Sequence, residues 1–99
     1  NVCYALYKGE YIIKNIPGDH PIAIINQLDG KNTYITYTGN SNKKLTRLGP
    51  DENVYDFYYD YIKIQVYGNF NYVSVYDYYH GYCGGKDVFK YNYNNIRKH

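Results

Sequence analysis

The chain of 99 residues contains neither tryptophan nor methionine, and it has only two cysteines and three prolines. It also lacks long apolar runs, since none approaches the roughly 20 residues of a membrane-spanning helix. No Asn-x-Ser/Thr sequon occurs, so N-glycosylation is not expected. Neither positive nor negative charge is in strong excess, because the net charge is only +2 and the basic residues are scattered. We therefore predict neither a membrane span nor a nucleic-acid partner.

Tyrosine is the most conspicuous component, with 17 residues. Short runs rich in Tyr, Ile, Val and Thr alternate with turn signals, and no window of a dozen residues has helical periodicity. The sequence therefore predicts one all-β domain over residues 1–99, a β-sandwich of about eight short strands. The polar segment Asn40–Asn53 is expected to be a long connection. The predicted strands are Val2–Tyr7, Glu10–Lys14, Pro21–Ile25, Thr33–Thr38, Tyr55–Tyr58, Tyr61–Tyr67, Tyr72–Tyr79 and Val88–Tyr93.

Strict alternation assigns faces to the two strands Tyr61–Tyr67 and Tyr72–Tyr79. Their aliphatic residues are expected to face the core; these are Ile62, Ile64, Val66, Val73 and Val75. We predict that Gly68–Asn71 joins the strands as a hairpin, so that their outward tyrosines share one surface. These tyrosines are Tyr61, Tyr67, Tyr72, Tyr76 and Tyr78. One explanation is that these tyrosines pair across the strands and stiffen the sheet. We favour the alternative that they form an interaction surface.

The same alternation turns Asp77 inward, where a carboxylate needs a partner because an unpaired buried charge is costly. Two imidazoles are available. His80 follows three residues later, and His20 opens a strand far upstream. We therefore expect these three side chains to meet.

Four segments carry a resemblance to a known family: His20–Ile24, Thr36–Gly39, Tyr55–Tyr59 and Tyr78–Tyr82. Together they are similar to short cupredoxin-like proteins encoded by large DNA viruses of algae and amoebae, over roughly residues 4–91. The resemblance implies a plastocyanin-type Greek-key sandwich. It also implies that four residues match the copper-ligand positions of a cupredoxin in order, and these are His20, Asp77, His80 and Cys83.

Two departures from the family pattern decide the expected chemistry. Asp77 replaces the copper-binding Cys and Cys83 replaces the axial Met, and a carboxylate cannot replace the covalency of a thiolate. Electron transfer by copper is therefore not expected. His20, Asp77 and His80 would form a harder site suited to Zn²⁺ or Cu²⁺. The interpretation that we favour is a hydrogen-bonded cluster without a metal or other cofactor.

The two cysteines, Cys3 and Cys83, are predicted to form a disulfide that closes nearly the whole chain. On the chain-entropy model such a bond stabilises the fold by roughly 4 kcal/mol. Two free thiols, or Cys83 as a metal ligand, are the alternatives.

The function predicted from these features is that of a non-enzymatic structural or interaction protein, without catalytic residues. It would belong to a virion surface or an extracellular assembly and associate with copies of itself or with other assembly proteins. A first residue other than Met fits a processed, secreted chain or a fragment. The alternatives are a divalent-metal-binding module at His20, Asp77 and His80, and a surface that binds host glycans through its tyrosines.

Overall fold

The structure, a computed structural model, describes residues 4–26 and 34–92, which form ten β-strands and no helix. In chain order these are β1 (Tyr4–Leu6), β2 (Gly9–Ile16), β3 (Ile22–Ile25), β4 (Ile35–Gly39), β5 (Lys44–Leu48), β6 (Val54–Tyr58), β7 (Asp60–Val66), β8 (Tyr72–Asp77), β9 (Gly81–Tyr82) and β10 (Phe89–Tyr91). The all-β prediction is confirmed. Within the described ranges no helix is long and apolar enough to cross a membrane.

Two sheets pack together as a sandwich. The larger sheet has seven strands in the order β1-β10-β8-β3-β6-β5, with β9 attached to β8, and the smaller sheet has the order β2-β7-β4. Neighbouring strands are antiparallel, except that β1 and β10 run parallel. The layered all-β architecture therefore agrees with the predicted sandwich.

Each of the eight predicted strands overlaps an observed strand. The predicted ends at Val2, Thr33 and Tyr93 lie outside the described residues. The two additional strands are β5 and β9. β5 lies inside the segment that was predicted to be a connection, and it pairs with β6 from Lys44 opposite Tyr58 to Leu48 opposite Val54. Four of its five residues are exposed because it is an edge strand, so it lacks an apolar face that alternation could reveal.

The main core lies between the two sheets. Its fully buried members include Ile24 of β3, Ile35 of β4 and Ile64 of β7. The five predicted inward residues Ile62, Ile64, Val66, Val73 and Val75 are all buried, so the alternation of both strands is confirmed. Each such side chain contributes about 1.5–3 kcal/mol of hydrophobic stabilisation relative to exposure.

A second, aromatic cluster covers the other face of the larger sheet. Phe57 and Ala23 are fully buried in it, and Tyr55 is nearly so. Tyr76 and Tyr78 pack against the cluster, and the rings of Phe57 and Tyr78 meet edge to face at 5.4 Å. These two tyrosines are therefore partly buried packing residues.

The predicted hairpin between the strands around Gly68–Asn71 is wrong. β7 pairs with β2 and β4 in the smaller sheet, whereas β8 pairs with β10, β3 and β9 in the larger one. The connection crosses from one sheet to the other, and Phe70 within it is buried in the main core. The five predicted surface tyrosines are consequently split between the sheets. Tyr61 and Tyr67 belong to the smaller sheet and its end, and Tyr72, Tyr76 and Tyr78 belong to the larger one.

Candidate metal centre

The pairing of β3 with β8 brings together two segments that are far apart in sequence. Ile22 lies opposite Asp77, and the backbone N–H of Tyr78 donates to the carbonyl of Pro21 at 2.8 Å. Because the strands are antiparallel, continuing this register places His20 beside the turn that follows Asp77. A turn closed by the His20 N–H and the Pro17 carbonyl at 3.0 Å leads the chain into β3.

Asp77 is the centre of the resulting cluster. Its side chain is 5% exposed. Its Oδ2 lies 2.9 Å from Nδ1 of His20, and its Oδ1 lies 3.4 Å from Nδ1 of His80. The backbone N–H groups of Tyr79 and His80 also donate to Oδ1, at 2.8 and 3.1 Å. The predicted meeting of His20, Asp77 and His80 is confirmed.

These contacts hold Asp77 in its ionised form. Burial by itself raises the pKa of this carboxyl, because desolvation disfavours the charge. The N–H of Tyr79, the ring of His20, and the N–H and ring of His80 lower it, and together they outweigh burial. The net pKa lies below its ordinary value, so the carboxylate is ready to act as a ligand.

The two imidazoles lie at the surface above the carboxylate. The side chains of His20 and His80 are 44% and 65% exposed, and their ring centroids are 4.9 Å apart at an interplanar angle of 36°. Nε2 of His20 is also 3.9 Å from a carboxylate oxygen of Asp19. An ion in solvent can therefore reach the cluster without opening of the fold.

The spacing of the ligand atoms can be compared with a metal site. One ligand atom from each of His20, Asp77 and His80 lies within 4.8 Å of the other two. With metal–ligand bonds of about 2.0–2.1 Å, the ligands of a tetrahedral Zn²⁺ site are about 3.3 Å apart. The two histidine-to-aspartate distances, 2.9 Å to Oδ2 and 3.4 Å to Oδ1, are hydrogen-bond contacts to different oxygens of the carboxylate. An ion bound by all three residues would replace these hydrogen bonds, so the rings or the carboxylate would have to shift for it to bind.

Cys83 is not part of this cluster. Its backbone N–H donates to the carbonyl of Val75 at 2.8 Å, and its half-buried side chain packs against the main core. Burial raises the pKa of its thiol, and the negative charge of Asp77 raises it further. Cys83 as a metal ligand, which was one of the predicted alternatives, therefore finds no support.

The predicted disulfide stays a prediction. Cys83 carries a free thiol in the structure. Cys3, the residue with which it would pair, lies outside the described residues.

Arg47 is a residue near the site that sequence reasoning missed. Its guanidinium lies 4.7 Å from the centre of the Tyr78 ring and donates to the carbonyl of Tyr78 at 3.0 Å. Arg47 and His80 line a common cavity of about 450 Å³ that opens beside the cluster. The strand that carries Arg47 has no two-residue apolar pattern, because Leu45 and Leu48 are three residues apart and fall on opposite faces.

Comparisons of the chain with protein-family models, with curated proteins and with solved structures found no significant match. The cupredoxin-like relationship and the Greek-key topology that it implies therefore stay predictions.

Proposed function

We propose that this protein is a β-sandwich module that binds a divalent transition-metal ion, Zn²⁺ or Cu²⁺, through His20, Asp77 and His80. The observation that carries the proposal is the convergence of these side chains from segments 57 residues apart in sequence. What supports a ligand set is that two solvent-exposed imidazoles lie beside one ionised carboxylate, because these are nitrogen and oxygen donors of the kind that Zn²⁺ and Cu²⁺ bind.

The donor set favours an ion that accepts nitrogen and oxygen ligands. Imidazole suits Zn²⁺ and Cu²⁺, and the carboxylate adds a hard, anionic ligand that offsets the charge of the ion. No thiolate belongs to the set, so the electron-transfer chemistry of blue copper is not proposed. Three protein ligands leave a position of a tetrahedral ion open to water or to another ligand. The ion would be exchangeable and accessible from the cavity beside His80.

Equilibrium dialysis against Zn²⁺, followed by metal analysis, tests the proposal. We expect one equivalent of Zn²⁺ per chain, lost in His20→Ala and in His80→Ala. Both histidines are partly exposed, so these variants are expected to keep the fold, which circular dichroism checks. His99→Ala, which removes the remaining histidine of the sequence, is the matched control and should bind like the wild type. Equal retention of zinc by all of these proteins would refute the proposed site.

A second candidate function is the binding of a neutral saccharide on the larger sheet. Tyr72 and Tyr82 are 48% and 38% exposed beside a hollow of about 330 Å³. Asn26, Lys86 and Asp87 also line it. An aromatic wall with a few polar groups is typical of sites that bind small ligands. This hollow replaces the five-tyrosine surface as the candidate, because those tyrosines do not share a face.

A glycan array followed by calorimetry tests this second candidate. We expect Tyr72→Ala and Tyr82→Ala to abolish binding of any saccharide that the wild type retains. Tyr67→Ala is the control, because Tyr67 is 58% exposed but follows a strand of the other sheet. An equal loss in the control would show that the hollow is not the binding site.

A further inference from the structure

The longest strand of the described residues lies at an edge. β2 has eight residues and pairs with β7 on one side, and no strand within residues 4–26 and 34–92 pairs with its other side. An unpaired edge presents a row of backbone N–H and C=O groups that can accept another strand. The edges at β1, β4 and β5 have three to five residues and offer shorter rows.

Both faces of β2 carry side chains that suit a neighbouring strand. On the solvent face lie Glu10, Ile12 and Lys14, and Ile12 is 49% exposed. On the other face Tyr11 and Ile13 pack against the main core and are partly buried. An additional strand would bury this apolar surface on both faces. The core would then continue across the new strand pair.

We propose that β2 is a dimerisation strand, which pairs antiparallel with β2 of a second copy about a two-fold axis at Ile12. In this register the two Ile12 side chains lie opposite each other on the solvent face. Glu10 lies opposite Lys14 of the second copy, and Lys14 opposite its Glu10. Tyr11 lies opposite Ile13 of the second copy on the core face. The two smaller sheets become one continuous six-stranded sheet.

Charge complementarity selects this register. Opposite charges placed directly across an antiparallel pair are stabilising, and like charges there are destabilising. A shift of one residue would put core-facing side chains opposite solvent-facing ones. A shift of two residues in one direction places Lys8 opposite Lys14, and in the other direction it places Lys14 opposite Ile12. The register centred on Ile12 pairs charge with opposite charge and apolar side chains with each other.

The proposed pairing of β2 with β2 closes at two copies. An antiparallel pair about a two-fold axis is isologous, so each β2 edge is used once and the assembly closes. Asn15 has a positive φ of 60°, and the pairing of β2 with β7 shifts between Lys14 and Ile16. This bulge ends the regular edge directly after Lys14, which confines the pairing to the residues named above.

Sedimentation velocity with a chelator present tests the proposal independently of the metal site. We expect the wild type to dimerise as its concentration is raised, with the dimer detectable by about 1 mM. Lys14→Glu should weaken it on the order of tenfold, because it creates two like-charged pairs across the axis. Glu10→Lys creates the same two pairs and also removes the contacts of Glu10 with Lys63 at 3.4 Å and Gln65 at 3.1 Å within its own chain, so it should weaken the dimer at least as much. The double variant Glu10→Lys/Lys14→Glu should restore the wild-type affinity. Lys90→Glu, on a strand of the other sheet, should change nothing. A wild type that stays monomeric, or a double variant that fails to recover, would overturn the proposal.

Disulfide cross-linking tests the register of the proposed β2–β2 pair directly. In oxidising buffer Ile12→Cys should form a covalent dimer, because position 12 meets itself across the axis. Glu10→Cys alone should not do so, whereas Glu10→Cys/Lys14→Cys should. The wild type, with its two native cysteines, serves as the background. Cross-linking of Glu10→Cys as efficient as that of Ile12→Cys would exclude this register and overturn the proposal.

Discussion

Replacing Asp77 with asparagine changes the only charged residue that is buried among the described ones, while almost keeping its shape. The asparagine oxygen can still accept from the N–H groups of Tyr79 and His80. Its amide nitrogen cannot accept a hydrogen bond from His20, which now contacts Oδ2 at 2.9 Å. A hydrogen bond to a charged group contributes about 1.5–3 kcal/mol. We therefore expect Asp77→Asn to lower the free energy of unfolding by about 2 kcal/mol at about pH 7.

The pH dependence of this loss follows from the pKa of Asp77, which is lower in the folded protein than its ordinary value. The stabilisation is fully present above the unfolded-state pKa of about 3.9 and is lost as the pH falls through the folded-state pKa. The difference between wild type and Asp77→Asn should therefore shrink towards zero in acid.

Urea unfolding with a chelator present, at several pH values from neutral to acid, measures this difference. Asp19→Asn is the matched control, since Asp19 is 81% exposed and contacts the same histidine at 3.9 Å. It should cost less than about 0.5 kcal/mol. Equal stability of wild type and Asp77→Asn at neutral pH would refute the assignment of a paired, buried carboxylate. A difference that stays constant with pH would refute it as well.

Three further predictions concern the packing and the thiol. Phe57→Ala should lower the free energy of unfolding by about 3–5 kcal/mol in urea titrations, because Phe57 is fully buried in the aromatic cluster. Gly39→Ala should cost about 1–3 kcal/mol by the same assay, since its Cβ would lie 2.6 Å from the Tyr58 ring. In a Cys3→Ser background, Cys83 should react with iodoacetamide more slowly than a small free thiol at about pH 8, because burial raises its pKa and leaves less thiolate. Normal stability of either packing variant, or rapid alkylation of Cys83, would contradict the corresponding contact.

The sequence predicted local structure better than strand pairing. Runs rich in Tyr, Ile, Val and Thr between turn signals identified eight strands. Alternation identified the inward residues of β7 and β8, because burial of one face imposes a period of two. Alternation could not identify which strands pair with each other, because a strand with one apolar face can pair with any other strand of that kind. The short link around Phe70 was therefore taken for a hairpin, although an apolar residue in a turn was a signal that the link crosses the core.

The candidate site was predicted more fully than the surface. The inward position of Asp77 followed from alternation with Val73 and Val75, and a buried carboxylate requires partners. The position of Arg47 could not be predicted. Its strand is exposed, and its contact with Tyr78 depends on tertiary packing between segments that are far apart in sequence. Tyr76 and Tyr78 were assigned to solvent because a second packed cluster on the outer face leaves no trace in a two-residue period.

X-ray absorption at the zinc edge of the loaded protein would show whether His20, Asp77 and His80 together hold a divalent ion. We expect nitrogen and oxygen neighbours at about 2.0–2.2 Å, with the multiple-scattering pattern of two imidazoles. Their loss in His20→Ala/His80→Ala would support the assignment. A sulfur neighbour at about 2.3 Å, or a protein that retains no zinc, would contradict it.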